Sequence, residues 1–291
     1  MTSVGMKIHR LCIIGVGAIG GSLARALRDA DACGHIVGCS RRQRNLEKAL
    51  ALGVIDSFET DVTKAISGAD MIVVTVPLGA MGTVFRAMVG RTAPNAVITD
   101  GGSAKRSILA AAQAAFGKIP QNLVPAHPIA GTEKSGVEAS RSSLFQGRRV
   151  VITPVADTDP SAMARVRAMW QTAGADVTEM DAEHHDKILA ATSHLPHVLA
   201  YTFVDVLRGM DKDAGFLRYA AGGFRDFSRI ASSDPQMWAD ICLANTDAII
   251  AILERFDAQL QFITNAIRRR EEETIKALFS RAMEYRDGWD P

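Results

Sequence analysis

Residues 11–27 read Leu-Cys-Ile-Ile-Gly-Val-Gly-Ala-Ile-Gly-Gly-Ser-Leu-Ala-Arg-Ala-Leu. Leu11 to Ile14 is a short apolar run of strand type, and Ser22 to Asp29 carries apolar residues at helical spacing. Between them Gly15, Gly17 and Gly20 fit the spacing GxGxxG. The first glycine permits a tight turn, the second lets the backbone approach a pyrophosphate, and the third lets helix and strand pack closely. Backbone N–H groups at the helix start then stabilise an anionic phosphate. The stretch is therefore read as strand, loop and helix, with Gly15, Gly17, Ala18, Ile19 and Gly20 as cofactor-binding residues. It lacks the basic flank and small-residue cleavage site of an export signal.

Working outward, short apolar runs alternate with amphipathic segments up to about residue 180. Strands are expected at Arg10 to Ile14, His35 to Cys39, Met71 to Val76, Ala96 to Thr99, Leu123 to Ala126 and Arg149 to Thr153. Helical stretches such as Ser22 to Asp29 and Arg44 to Leu52 lie between several of them. Such alternation predicts an α/β, Rossmann-like domain with a mostly parallel sheet over residues 1–180. Ligands bind at the carboxyl ends of such strands. Gly101-Gly102-Ser103 and His127-Pro128, each just past an expected strand, belong on that rim.

After Met180 the strand signal vanishes, and residues 181–291 read as an all-helical substrate-binding and dimerisation domain. Helical patterns run over Glu183 to Leu207 and Pro235 to about Arg270. The second is apolar at Ile249, Ile250, Ile252, Leu253, Phe256, Leu260 and Ile263. A helix of that length needs a partner surface. An internal bundle or a homodimer through the C-terminal helices would supply it, and the dimer is favoured.

With 47% hydrophobic and 22% charged residues among 291, the composition is that of a soluble globular protein. A net charge of +1 offers no field for nucleic acid or an anionic membrane, so neither is expected as a partner. Arg268-Arg269-Arg270 is followed at once by Glu271-Glu272-Glu273 and reads as a solvated helix face. Cys12, Cys33, Cys39 and Cys242 show no metal-type spacing, and unpatterned thiols point to the reducing cytoplasm.

The second expected strand ends Gly38-Cys39-Ser40-Arg41-Arg42, without the acid that binds the ribose hydroxyl of NAD. A hydroxyl and guanidinium groups at Ser40, Arg41 and Arg42 suit a 2′-phosphate, so NADP is favoured over NAD. The plainer reading is that these arginines solvate the next helix.

Three segments bear chemistry: Asp100-Gly-Gly-Ser103-Ala-Lys105, His127-Pro-Ile-Ala-Gly-Thr132-Glu133-Lys134 and Ser193-His194-Leu-Pro-His197. A fourth, Gly222-Gly-Phe-Arg225-Asp226-Phe-Ser-Arg229, offers a cation for a carboxylate. In this order, and with HPIAGTEKSG (127–136), SHLPH (193–197) and GGFRDFSRIASSDPQMW (222–238), the chain resembles the prephenate/arogenate dehydrogenase family over nearly its whole length. The resemblance implies oxidative decarboxylation of a cyclohexadienyl alcohol with NAD or NADP, in tyrosine biosynthesis. It implies that His127 acts on the 4-hydroxyl and that Ser103 shares the contact. It also implies that Thr132 and His197 line the substrate pocket and that Arg229 anchors a substrate carboxylate. Imidazole suits proton acceptance near neutral pH, and guanidinium presents a planar fork.

The same residues have plainer readings. His127 alone is as consistent with a core histidine, and Ser103 with a helix cap. His194 and His197 share a helical face but find no third ligand, so no metal is expected. Pro196 should kink the helix near Thr192. Asp226 is positioned to pair with Arg229, or to join a surface cluster with Arg225, and Trp238 reads as core or pocket wall. Two other functions compete: a hydroxy-acid or imine dehydrogenase using Lys105 or Lys134 for proton transfer, and an NADP-binding regulator without catalysis.

Overall fold

A computed structural model describes residues 7–131, 135–210 and 215–289. Six strands form one parallel sheet: β1 (Ile8–Ile14), β2 (Cys33–Cys39), β3 (Ser57–Glu59), β4 (Met71–Val74), β5 (Val97–Asp100) and β6 (Leu123–Val124). Their order is β3-β2-β1-β4-β5-β6, so the chain reverses direction across the sheet between β1 and β4. That switch point opens a crevice at the strand ends, where a dinucleotide binds in folds of this type. Three further strands, β7 (Ala126–Pro128), β8 (Arg149–Ile152) and β9 (Asp176–Glu179), make a second sheet.

The sheet is covered on both faces because its strands are apolar on both. Leu11 and Ile13 of β1 join one buried cluster, while Cys12 and Ile14 join the other. Helices α1 (Ala18–Asp29), α2 (Gln43–Ala51), α3 (Val62–Ala65), α4 (Met81–Met88), α5 (Lys105–Phe116) and α6 (Pro160–Thr172) supply the layers. Leu23, Leu27, Leu46, Val166 and Trp170 lie in the first cluster, and Met81, Phe85, Met88 and Ile108 in the second. Burial pushes the Cys12 and Cys39 thiols up, Cys39 to about 11, so they serve as small apolar groups.

The expected strand over Leu123 to Ala126 is two strands. Pro125 has no N–H, its carbonyl accepts from Thr153 N at 3.0 Å, and the next N–H, of Ala126, turns to Asp100 Oδ1 at 3.1 Å. The chain thereby leaves the first sheet and enters the second. His127 consequently sits inside β7, paired with Val151, rather than in a loop beyond a strand. Strands β3 and β9 went unforeseen because each is short and carries polar residues, with no apolar run to mark it.

From Ala182 onward the described chain is helical: α7 (Ala182–Leu189), α8 (Leu195–Met210), α9 (Gly222–Ser228), α10 (Pro235–Ala244), α11 (Thr246–Arg269) and α12 (Glu272–Asp287). The long helix expected from Pro235 to about Arg270 is broken at Asn245. There the side-chain amide donates to Asp186 O at 2.8 Å and to His194 Nδ1 at 3.2 Å, and the backbone leaves helical geometry. By compactness the chain divides at Thr246, into 1–246 and 247–291, rather than where the strands end. The reason lies in packing, because α7 lies against α5 and α10 against the turn at Leu78–Ala80. No single helix among the described residues is long and apolar enough to cross a membrane.

Asp100 and Lys105 form an ion pair that is fully buried on both sides, with Nζ 2.5 Å from Oδ2. Asp100 also accepts from Gly102 N at 2.7 Å, and Lys105 Nζ donates to Ala126 O at 2.6 Å. Removing one partner leaves an uncompensated buried charge, which costs about 3–5 kcal/mol. Lys105→Met should therefore lower the unfolding free energy by about that amount in a urea titration. A loss below about 1 kcal/mol would show the pair to be dispensable.

Candidate active site

The glycine loop has the geometry its spacing predicts. Gly15 adopts φ +102°, and a Cβ there would stand 2.6 Å from the Thr75 carbonyl at the end of β4. Thr75 Oγ1 donates to Gly15 O at 2.7 Å and locks the turn. A Cβ on Gly20 would meet Gly15 O at 2.6 Å, whereas one on Gly17 meets nothing within 4 Å. Only the second glycine thus faces open space, as backbone approached by a pyrophosphate should. The first turn of α1 has neither a side-chain cap nor an acid, so its N–H groups suit an anion. At the end of β2, Ser40 Oγ accepts from Arg42 N at 3.3 Å, and Arg41 and Arg42 are exposed. Parallel pairing also sets Glu59 of β3 opposite Cys39, a carboxylate that no local pattern announced.

His127 is buried, with its Nδ1 2.9 Å from Nε2 of His185 on α7. His185 Nδ1 lies 2.8 Å from Asp186 Oδ1. The Asp186 carboxylate also accepts the N–H groups of Lys105 at 2.7 Å and Arg106 at 2.9 Å, capping α5. Ser103 is therefore not the cap, and its side chain makes no hydrogen bond among the described residues. Its hydroxyl stands at the head of α5, in the turn that Asp100 fixes through Gly102. Burial first, then the neighbouring His185, Lys105 and His194, hold the His127 imidazole well below its usual titration range. It is therefore neutral around pH 7, the form in which it can accept a proton.

His194 and His197 flank Pro196. The kink expected near Thr192 is a π turn, Ala190–His194, and Pro196 stands in the first turn of α8 directly after it. The wider turn accommodates the missing proline N–H. His194 is buried and accepts from Asn245, so its Nε2 carries the hydrogen. That Nε2 has no hydrogen-bond partner among the described residues. His197 donates from Nδ1 to Ser193 O at 2.9 Å and stacks on Trp238, centroids 3.6 Å apart. Burial lowers the His197 pKa, Ser193 opposes this, and the Arg229 cation adds to the lowering; Arg229 opens the turn Arg229–Ser232, which packs against α8. Asp226 pairs with Arg225 instead of Arg229, at 3.6 Å, and both are exposed. Thr132 and Lys134 lie outside the described residues. Lys105, the other candidate for proton transfer, is consumed by Asp100 and Ala126.

Sequence reasoning missed His185, Asp186 and Asn245. They are ordinary-looking helical residues, brought to the site from 58, 81 and 51 positions away by the bonds to His127, Lys105 and His194. Two family models match the chain: the prephenate dehydrogenase nucleotide-binding domain over residues 23–179 and the prephenate dehydrogenase dimerization domain over 181–281. The chain belongs to the prephenate dehydrogenase family. It is similar to the cyclohexadienyl dehydrogenase of Zymomonas mobilis subsp. mobilis, 37% identical over 281 residues that cover 95% of this chain and 94% of the relative. The prephenate dehydrogenase of Bacillus subtilis is 31% identical over 280 residues, covering 96% and 75%. Among solved structures, the Aquifex aeolicus prephenate dehydrogenase in complex with hydroxyphenyl propionate and NAD+ gives a TM-score of 0.91 at 33% identity, covering 99% of this chain and all of that one. The Synechocystis arogenate dehydrogenase gives 0.78 at 26% identity, covering 96% and 99%. This is a nicotinamide-dependent oxidoreductase that performs the oxidative decarboxylation of tyrosine biosynthesis.

The buried histidines make stability pH-dependent. Burial first lowers the His194 pKa from 6.5 to about 4, with Asp186 opposing. The unfolded chain then binds more protons than the folded one between those values, so stability is lost as pH falls through that window. His194 alone should contribute a loss of about 2–3 kcal/mol by pH 4.5. In His194→Gln the slope of unfolding free energy between pH 6.5 and 4.5 should flatten by that amount. An unchanged slope in denaturant titrations would show that His194 titrates freely in the folded state.

Proposed function

We propose that this enzyme acts on prephenate, arogenate or both, with NADP preferred over NAD and His127 as the base at the substrate hydroxyl. The observation that carries the reading is His127: buried, neutral, and bonded through Nδ1 to His185, which in turn meets the Asp186 carboxylate. The glycine loop and the first turn of α1 would hold the cofactor, with Ala18 and Ile19 in that turn. Bound there, the nicotinamide would accept the hydride of the ring carbon that bears the hydroxyl. His127 takes the proton from the 4-hydroxyl, and Ser103 orients that oxygen. Loss of the ring carboxylate as CO2 leaves an aromatic product, which makes the step irreversible. Arg229 supplies a planar cation for a carboxylate, beside His197 on the stacked Trp238.

Ser40, Arg41 and Arg42 at the end of β2 support NADP, since none of the three is an acid and two are exposed guanidinium groups. A second reading, NAD, is favoured by Glu59 beside the end of β2. Residues 1–180 carry the cofactor and 181–291 the substrate and the contact between two copies. Support for a homodimer comes from the dimerization-domain match and from apolar side chains exposed in the single chain, among them Leu243, Leu260, Phe262, Phe279 and Met283. Four free cysteines, Cys12 and Cys39 among them buried, suit a reducing cytoplasm.

Initial rates with prephenate or arogenate and NAD or NADP, followed as reduced nicotinamide, test the whole reading. Ser40→Asp should swing the NADP/NAD ratio of kcat/KM toward NAD by at least about tenfold, because a second-strand carboxylate repels a 2′-phosphate. A ratio that stays put in that variant rules out Ser40-Arg41-Arg42 as the discriminator. Arg229→Ala should raise KM at a cost of about 1.5–3 kcal/mol, the worth of a hydrogen bond to a charged group. An unchanged KM for both acids would place Arg229 outside the substrate site.

A further inference from the structure

The chain of bonds ending at His127 begins at a group whose protonation is unambiguous. Asp186 accepts two backbone N–H groups, at 2.7 and 2.9 Å, from the first residues of α5. It stands at the positive end of a 12-residue helix, so its negative charge is satisfied without a cation. Burial would raise its pKa, but the bonds from His185, Lys105 N and Arg106 N outweigh that and hold it low. A carboxylate only accepts. His185 Nδ1, at 2.8 Å from it, must therefore carry a hydrogen. In a neutral imidazole the other nitrogen is then a bare acceptor. The atom facing that acceptor at 2.9 Å is His127 Nδ1, which must donate. His127 Nε2 then carries no hydrogen and presents a lone pair.

We propose that His185, held by Asp186, is a positioning residue that fixes His127 in the tautomer with an unprotonated Nε2 directed to the substrate hydroxyl. The inference rests on the reading of His127 as the base. In the step it serves, the hydroxyl proton passes to His127 Nε2 and the O–H electron pair stays on the oxygen. The new imidazolium keeps its Nδ1–H and shares it with His185, whose own N–H remains on Asp186. No second proton moves. The arrangement follows the logic by which a buried carboxylate sets a catalytic histidine's tautomer in acyl-transfer triads, with one imidazole interposed. A structural histidine alone does not require this geometry, because His185 is fully buried and spends both ring nitrogens, one on each partner.

The rival arrangement is an ion pair in which His185 is doubly protonated and donates to His127, placing the hydrogen on His127 Nε2. Ring 15N correlation spectra of the ligand-free enzyme, labelled at histidine, separate the two directly. The Nδ1–H form of His127 is the expected result at pH 7.5; the Nε2–H form overturns the proposal. Kinetics give a second reading. His185→Gln retains a donor toward Asp186 and an acceptor toward His127, whereas His185→Leu retains neither. His185→Leu should lower kcat about 10²-fold, within the range for lost proton-transfer catalysis, with KM and cofactor affinity within about threefold. His185→Gln should recover most of that loss. Adding His185→Leu to His127→Asn should cost nothing further, as expected of a residue acting through its neighbour.

The acid limb of kcat/KM should move in His185→Leu and stay in His185→Gln. The charged or titratable groups around His127 that set that limb are Asp100 at the end of β5, Lys105 at the α5 start, His185 and Asp186 on α7, and His194 in the π turn. His185→Leu at full kcat, while His127→Asn loses about 10²–10⁴-fold, would sink this inference and leave His127 as the base. Near-normal turnover in His127→Asn would remove the base reading and this inference with it. Parallel losses of kcat, cofactor affinity and thermal stability in both His185 variants would make the residue structural only.

Discussion

The buried pair of Asp100 and Lys105 is the constraint on which the site depends. One carboxylate at the end of β5 fixes the Gly102 N–H, and so the turn that carries Ser103. Its other oxygen takes the Ala126 N–H, and Lys105 takes the Ala126 carbonyl, so the residue before His127 is held at both polar groups. Two charges removed from water are costly unless their remaining hydrogen-bonding capacity is met. Here the turn, the start of α5 and the entry to β7 meet it. His127 and Ser103, one in the second sheet and the other in the turn after β5, are thus placed by one electrostatic requirement. The same requirement engages the Lys105 ammonium with Asp100 and the Ala126 carbonyl.

Asp186 makes a second use of the α5 start. It caps the helix from α7 and at the same time anchors His185, so the position of α7 and the orientation of His127 are linked. Its backbone carbonyl receives Asn245, whose amide also meets His194. The break between α10 and α11 therefore coincides with a polar group drawn inward to satisfy buried acceptors. Local helix propensity across residues 235–270 gives no hint of this, since the partners of the Asn245 amide lie on other helices.

Much of the fold was legible because its signals are local. The glycine spacing demands a turn, an open approach and a close packing within six residues, and the three glycines meet those demands in that order. Apolar runs marked β1, β2, β4, β5 and β8 because a strand buried on both faces must be apolar throughout. The split at Pro125 was misread because the apolar run continues through it, while the partner of the next N–H lies 26 residues earlier. Of the candidate site, His127, Ser103, His197 and Arg229 were singled out through extended motifs. His185 and Asp186 were not, as a histidine and an aspartate in a polar helix carry no pattern.

The sequence alone determined the class of the sheet, the glycine-rich turn, the shift to helices after Met180 and the segments that bear candidate reactive side chains, because each follows from neighbours within a few residues. Tertiary structure decided which group faces Nδ1 of His127, which residue caps α5, and which acid stands beside the end of β2. Those depend on hydrogen bonds and strand register between distant segments. A proton's place on an imidazole is set by the partner opposite it, and only the fold supplies that partner.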